Sequence, residues 1–241
     1  MSPKMLLLFP ALAMLAAIVW HSVVFRGARF TKFYFWIGLF YAWLREAVTH
    51  ANVDGNGLPL YQHSFKSFKL VGSPIQAIVG WLLVGYLGLC IGELVASRVK
   101  VWRGKVFPII LVSGLVASAM AFGIESVALA LKWWFWRNDA FSGDFEEYLH
   151  GVPFIALQGW PNTMLPFLTS LLLAESTNLT KRVWWAYLVW ALPLLLAPGW
   201  MFAYEATRAG FYAALVLLAV AYPLRYEPRG APAETDRAGA G

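Results

Sequence analysis

The sequence predicts an all-α fold: a polytopic transmembrane helical bundle with about seven spanning helices. Three observations carry the prediction. Hydrophobic residues make up 60% of the 241-residue chain and charged residues only 13%, about half the charged share of an ordinary soluble domain. Apolar runs of about 20 residues recur, the length a helix needs to cross the hydrocarbon core. Basic residues are also shared unevenly between alternate connecting segments, as the positive-inside rule requires of a membrane protein.

Seven apolar runs stand at about 5–24, 31–49, 70–96, 106–132, 153–175, 183–204 and 208–225. The first follows Lys4 and is rich in alanine, and the last is short and entered through Glu205 and Arg208. Together they define one transmembrane domain, residues 1–226. Residues 227–241 are charged and rich in Pro, Gly and Ala, the composition of a disordered tail.

With alternating spans, the connections around Arg26–Lys32, Arg98–Lys105, Lys181–Arg182 and Arg225–Arg237 fall on one face and hold twelve basic residues. The opposite face holds six: Lys4, Lys66, Lys69, Lys132, Arg137 and Arg208. The rule then sets the N-terminus outside and the C-terminus in the cytoplasm, in a prokaryotic cytoplasmic membrane. The net charge of +6 is thereby explained without a nucleic-acid partner. Thirteen Trp and seventeen Phe suit interfacial belts or a pocket for a long apolar ligand. Cys90 is the one cysteine, so no disulfide framework exists. No lysine follows Lys181, which excludes a retinal Schiff base in the last helix. There is no Walker loop, nucleophile elbow or dinucleotide fingerprint.

The residues that do not belong in a membrane are the informative ones. Glu125 lies inside an apolar run, and an ionisable group at membrane depth is a functional hypothesis by default. It opens a stretch, Gly123–Trp160, that continues through Trp133-Trp134-Phe135-Trp136, an acidic loop and Gly151-Val152-Pro153. Residues 46–81 echo it: Glu46, a polar loop, Pro74 and a Gly80-Trp81 pair. Either a diverged duplication or two loops built alike would produce that echo. Glu46 and His50 are four apart and share a helix face.

A carboxyl group facing a polyene or isoprenoid double bond can deliver a proton, and aromatic faces stabilise the resulting cation. On this reading Glu125 is the proton donor, Glu46 with His50 positions water or accepts a proton, and Trp134, Trp136 and Trp160 line the substrate. No cofactor is required. A competing reading gathers His50, His63 and His150 with Glu46 or Asp54 around a metal ion; with four histidines and no paired HxxxH or HExxH box, the sequence favours no metal. A third is a non-enzymatic lipid or solute carrier, or a subunit of an envelope complex. Elsewhere, Arg45 is a candidate ion-pair partner for Glu46, and Glu93 is expected to pair with Arg98 or to snorkel. His21 reads as interfacial. Pro161, Pro166, Pro193 and Pro198 are expected to kink their helices.

Residues 40–165 resemble the carotenoid biosynthesis membrane-protein family that includes the bisanhydrobacterioruberin hydratases. Glu125 stands at that family's Asp, Trp134-Phe135-Trp136 supplies its Trp-x-Trp, Gly151-Val152-Pro153 its turn, and Gly159-Trp160 its Gly-Trp. Glu46, Gly57-Leu58-Pro59-Leu60-Tyr61, Pro74 and Trp81 are similar to its first half. Ser126 and Ala156 replace the family's Pro and Asn. The resemblance implies an isoprenoid or carotenoid substrate, hydration or cyclisation at a double bond, and Tyr61, Trp81 and His150 as further substrate-binding residues.

Overall fold

The computed structural model describes residues 8–51, 56–58, 61–64, 69–70, 73–136, 148–149, 152–176 and 224–226. Among them are five long helices: α1 (Leu8–Arg26), α2 (Ala28–Ala51), α3 (Ile75–Arg98), α4 (Val106–Ala130) and α5 (Phe154–Ala174). These match the first five predicted runs, with ends shifted by a few residues. The runs at 183–204 and 208–225, apart from Leu224 and Arg225, and the tail lie outside the described residues.

Three of the described helices are long and apolar enough to cross a membrane: Phe9–Arg26 of α1, α3 and α4. Helices α2 and α5 are of similar length, 24 and 21 residues, but are less apolar. Helix α2 carries Arg29, Lys32, Arg45, Glu46 and His50, and α5 carries Gln158, Asn162 and Thr163. The surfaces turned outward are nonetheless greasy. Trp20 is 63% exposed, Trp36 71% and Leu115 63%, patches that water would penalise and lipid would not.

The helices run alternately up and down. Gly27, at φ +85°, turns the chain between α1 and α2, a backbone shape glycine takes without strain. Helix α4 packs on both α3 and α5, and α3 also meets α1 and α2. The α3–α4 crossing is close because its residues are small: Ser113 Oγ donates to Gly88 O at 2.9 Å. A Cβ added to Gly92 would stand 2.5 Å from Ser113 Oγ and 2.6 Å from Ile109 O. Small residues at such crossings let backbones approach where lipid supplies no hydrophobic drive. Tyr34, Tyr86, Leu89 and Leu168 fill the core.

The all-α expectation is amended in the connections, which contain short strands. Strand β1 (Tyr61–His63) pairs antiparallel with β4 (Trp134–Trp136), with Tyr61 opposite Trp136 and His63 opposite Trp134. Strands β2 (Lys69–Leu70) and β3 (Ser73–Pro74) form one small hairpin, and β5 (Tyr148–Leu149) and β6 (Val152–Pro153) form another. The third helix therefore begins at Ile75 rather than near residue 70, because Pro74 holds an extended backbone at φ −64°, ψ 133° as its N-cap. Proline does not interrupt α5 in the same way, and its backbone runs helical through Pro161 and Pro166.

The echo between the two stretches becomes a register in three dimensions. A constant offset of 79 residues relates Glu46 to Glu125, β2 to β5, β3 to β6, the first residue of α3 to that of α5, and Trp81 to Trp160. Each acid sits five residues before the end of its helix. The related helices run in the same sense, as in a parallel duplication.

At the opposite end of the bundle, Glu93 pairs with Arg26, not Arg98. Arg26 Nη1 and Nη2 meet its two oxygens at 2.7 and 2.5 Å. His21 is half-buried, with Nδ1 2.8 Å from Tyr86 Oη. Residues 224–226 close this end, where Val106 N donates to Leu224 O and Tyr226 N to Gly104 O.

Candidate active site

The site end of the bundle is made by the C-terminal turns of α2 and α4 and the N-terminal turns of α3 and α5. Buried carboxylates must be hydrogen-bonded to persist, and here each recruits the tryptophan found 35 residues later on the next long helix. Trp81 Nε1 donates to Glu46 Oε1 at 2.6 Å, and Trp160 Nε1 donates to Glu125 Oε1 at 2.9 Å. The two indoles touch, centroids 4.4 Å apart with their planes tilted by 36°, so one aromatic pair joins the half-sites.

The β1–β4 ribbon supplies the other partners. Strand alternation turns residues two apart to one side. Trp134 and Trp136 face inward and Phe135 outward at 45% exposed. Trp134 Nε1 and Trp136 Nε1 both donate to Glu125 Oε2, at 2.8 and 3.2 Å. Across the ribbon His63 Nε2 stands 3.1 Å from Glu46 Oε2. Ser64 fastens the ribbon's end by donating Oγ to the carbonyls of Lys132 and Trp133.

Glu125 thus receives three indole N–H groups, two on Oε2 and one on Oε1. A carboxylic acid has one O–H besides its acceptor sites. Oε2, already taking two donors, has no direction left for a proton, so a proton on this group belongs on Oε1, beside Trp160. Tyr61, on β1, is buried, and that burial together with the charges of Glu46 and Glu125 pushes its phenol well above the usual range. Its hydroxyl stays neutral.

Both acids line one cavity of about 330 Å³, walled by Trp81, Trp133, Trp134, Trp136, Trp160, Tyr61, Ile124 and Leu83. Its rim includes Pro10 and Met14 of α1, which are exposed on the bundle's outer surface. Sites for small molecules span roughly 300–1,000 Å³, so this cavity stands at the small end of that range.

Of the residues singled out from sequence, Glu46, Glu125, Tyr61, Trp81, Trp134, Trp136 and Trp160 all meet at this cavity. His50 is near but set back: its Nε2 is 3.8 Å from Glu46 Oε2, beyond hydrogen-bond distance. His63 takes the place at Glu46 that sequence reading gave to His50. His150 lies outside the described residues, as do Asp54 and the acids of the 137–147 loop. Two further lining residues, Arg45 and Gln76, went unassigned to the site. Arg45 Nε donates to Thr163 Oγ1 at 2.9 Å, while Thr163 donates onward to Gly159 O, so the cation is tied to α5. Only adjacency to Glu46 marked it in the sequence.

No protein-family model, no curated protein and no solved structure matches the chain.

Proposed function

We propose that this chain is an integral-membrane enzyme that adds a proton to a double bond of an isoprenoid or carotenoid lipid, giving a hydrated or cyclised product. The observation that carries this reading is the shared cavity: two buried carboxylates, with Arg45 and Gln76 beside them, face a mainly aromatic and aliphatic chamber whose lining reaches the exposed apolar surface of α1. A polar substrate would leave most of that wall unsatisfied. An unsaturated hydrocarbon fits it and finds only a few polar groups at its end.

In this reading the lipid enters past Pro10 and Met14 and its terminal double bond lies between the paired indoles and the ribbon. Glu125 gives the proton on Oε1 to the alkene carbon, leaving a tertiary cation. The faces of Trp160, Trp81 and Tyr61 stabilise that charge, as does the Glu125 carboxylate left behind, which its three indole donors hold in place. Loss of a proton to Glu46 after attack by water, or after attack by a second double bond of the lipid, completes hydration or cyclisation. Proton return to Glu125 resets the site. The full span count of about seven, the outward placement of the site and the prokaryotic cytoplasmic membrane belong to the same proposal and rest on the charge asymmetry of the connections.

The test is expression in a host that accumulates acyclic carotenoids. Wild type should convert the pigment to a product heavier by one water or to an isomer of equal mass. Glu125→Gln should lower conversion by at least about 10²-fold, the usual contribution of a general acid. Equal pigment profiles with wild type and with empty vector, or undiminished conversion by Glu125→Gln, would overturn the assignment.

A further inference from the structure

We propose that Glu46, His50 and His63 bind one divalent transition-metal ion at the edge of the cavity. Their ligand atoms lie within 4.8 Å of one another. Glu46 Oε2 is 3.1 Å from His63 Nε2 and 3.8 Å from His50 Nε2. Two ligands at about 2.1 Å from an ion stand about 3.4 Å apart in tetrahedral geometry and about 3.0 Å apart in octahedral geometry. The two separations from Glu46 straddle the tetrahedral value and lie above the octahedral one, and with the whole set within 4.8 Å the two imidazoles need to draw together by about an ångström to close around an ion.

Three further observations point the same way. His50 Nε2 is buried and makes no hydrogen bond, although the rest of its ring is a quarter exposed; it is aimed at the Glu46 oxygen that His63 also approaches. Trp81 holds Oε1 of Glu46, which leaves Oε2 to the two imidazoles, the outer-sphere arrangement that orients a ligating carboxylate. The internal repeat supplies the contrast. In the second half, Glu125 is surrounded by Trp134, Trp136 and Trp160, none of which can bind a metal. In the first half the ribbon offers His63 opposite Trp134, and α2 adds His50 one turn beyond its acid. The duplicated carboxylate is thus dressed with donors in one half and with ligands in the other. Two imidazoles and a carboxylate, without thiolate, suit zinc or ferrous iron and leave coordination positions open.

The site stands on this geometry; its role rests on the reading above, with the metal-bound water taking over the part given there to Glu46 as proton acceptor. A metal-bound water loses a proton near neutral pH. The hydroxide would add to the cation made by Glu125, forming the C–O bond, and the next water to bind would release the proton that recharges the acid. Water and alkene then give the alcohol, with nothing oxidised or reduced.

Full-length protein without a polyhistidine tag, purified in detergent and stripped with chelator, is titrated with Co²⁺, whose visible ligand-field bands report nitrogen and oxygen coordination. Wild type should bind one equivalent and develop the bands. His63→Gln and His50→Gln should weaken binding at least 10-fold, and Glu125→Gln should bind as wild type. Absence of stoichiometric Co²⁺ binding by wild type, as a proton-bridged Glu46–His63 pair would give, overturns the proposal whether or not the variants fold. Bands that persist unchanged in both histidine variants overturn it too. Failure of the catalytic reading shows separately, as Glu125→Gln that keeps both its pigment conversion and its Co²⁺ bands.

Discussion

Glu125 is held by three indole N–H groups of unequal length, and that inequality makes a graded prediction. Trp160→Phe keeps an aromatic ring against Trp81 but removes the donor to Oε1, at 2.9 Å. Trp136→Phe removes the longest bond, at 3.2 Å. Hydrogen bonds to charged groups contribute about 1.5–3 kcal/mol, so Trp160→Phe should cut conversion by about ten- to a hundredfold and Trp136→Phe by less. Pigment turnover in membranes, compared across the two variants, checks the order; equal effects would show that the Oε1 side has no special place. At the other end, Arg26 and Glu93 are a buried pair. Removing one partner from such a pair costs about 3–5 kcal/mol, whereas replacing both with apolar groups is often neutral. Arg26→Met should therefore lower the thermal midpoint in detergent, and adding Glu93→Leu should recover most of the loss.

Between elements, the β1–β4 ribbon joins the two halves and the α3–α4 crossing sets their spacing. Gln62 lies opposite Phe135 in the ribbon, and both are exposed. Directly opposed antiparallel residues have Cα atoms about 4.5–5.5 Å apart, within disulfide reach. In a Cys90→Ala background, cysteines at positions 62 and 135 should form a disulfide on mild oxidation, detectable by mass spectrometry of the digest. Thiols that stay free would mean that the ribbon is not formed. At the helix crossing, Gly92→Ala forces α3 and α4 apart, since the added Cβ would stand 2.6 Å from Ile109 O, a backbone atom that moves only with its helix. Overpacking of this kind typically costs about 1–3 kcal/mol, and the variant should show a lower thermal midpoint than Gly80→Ala, whose added Cβ meets nothing within 4 Å.

For the molecule as a whole, the site and the described basic connections, Arg26–Lys32 and Arg98–Lys105, occupy opposite ends of the bundle. A membrane-impermeant maleimide should label a cysteine at Gln62 in intact cells but one at Lys100 only after permeabilisation, again in a Cys90→Ala background. The reverse pattern would turn the proposed orientation over and place the cavity on the cytoplasmic side. The 79-residue register gives this end its logic. Two similar helix–hairpin–helix units each bring an acid and a tryptophan to one level, and pairing them produces one chamber with unlike walls.

The sequence alone determined the mainly helical class, the places of the first five helices and, among them, three long and apolar enough to cross a membrane, because these depend on composition and run length; it also singled out the two acids that meet at the cavity. It also marked the tryptophans, though without partners. Only the tertiary structure decided that Trp81 serves Glu46 while Trp134, Trp136 and Trp160 serve Glu125. It likewise decided that His63 rather than His50 bonds Glu46, and that Glu93 meets Arg26. Those pairings join residues from different elements, up to 67 positions apart, and no local periodicity encodes them. The strands were equally hidden: two or three residues are too few for an alternation to stand out beside aromatic runs, and they exist because the partner strand satisfies their backbone.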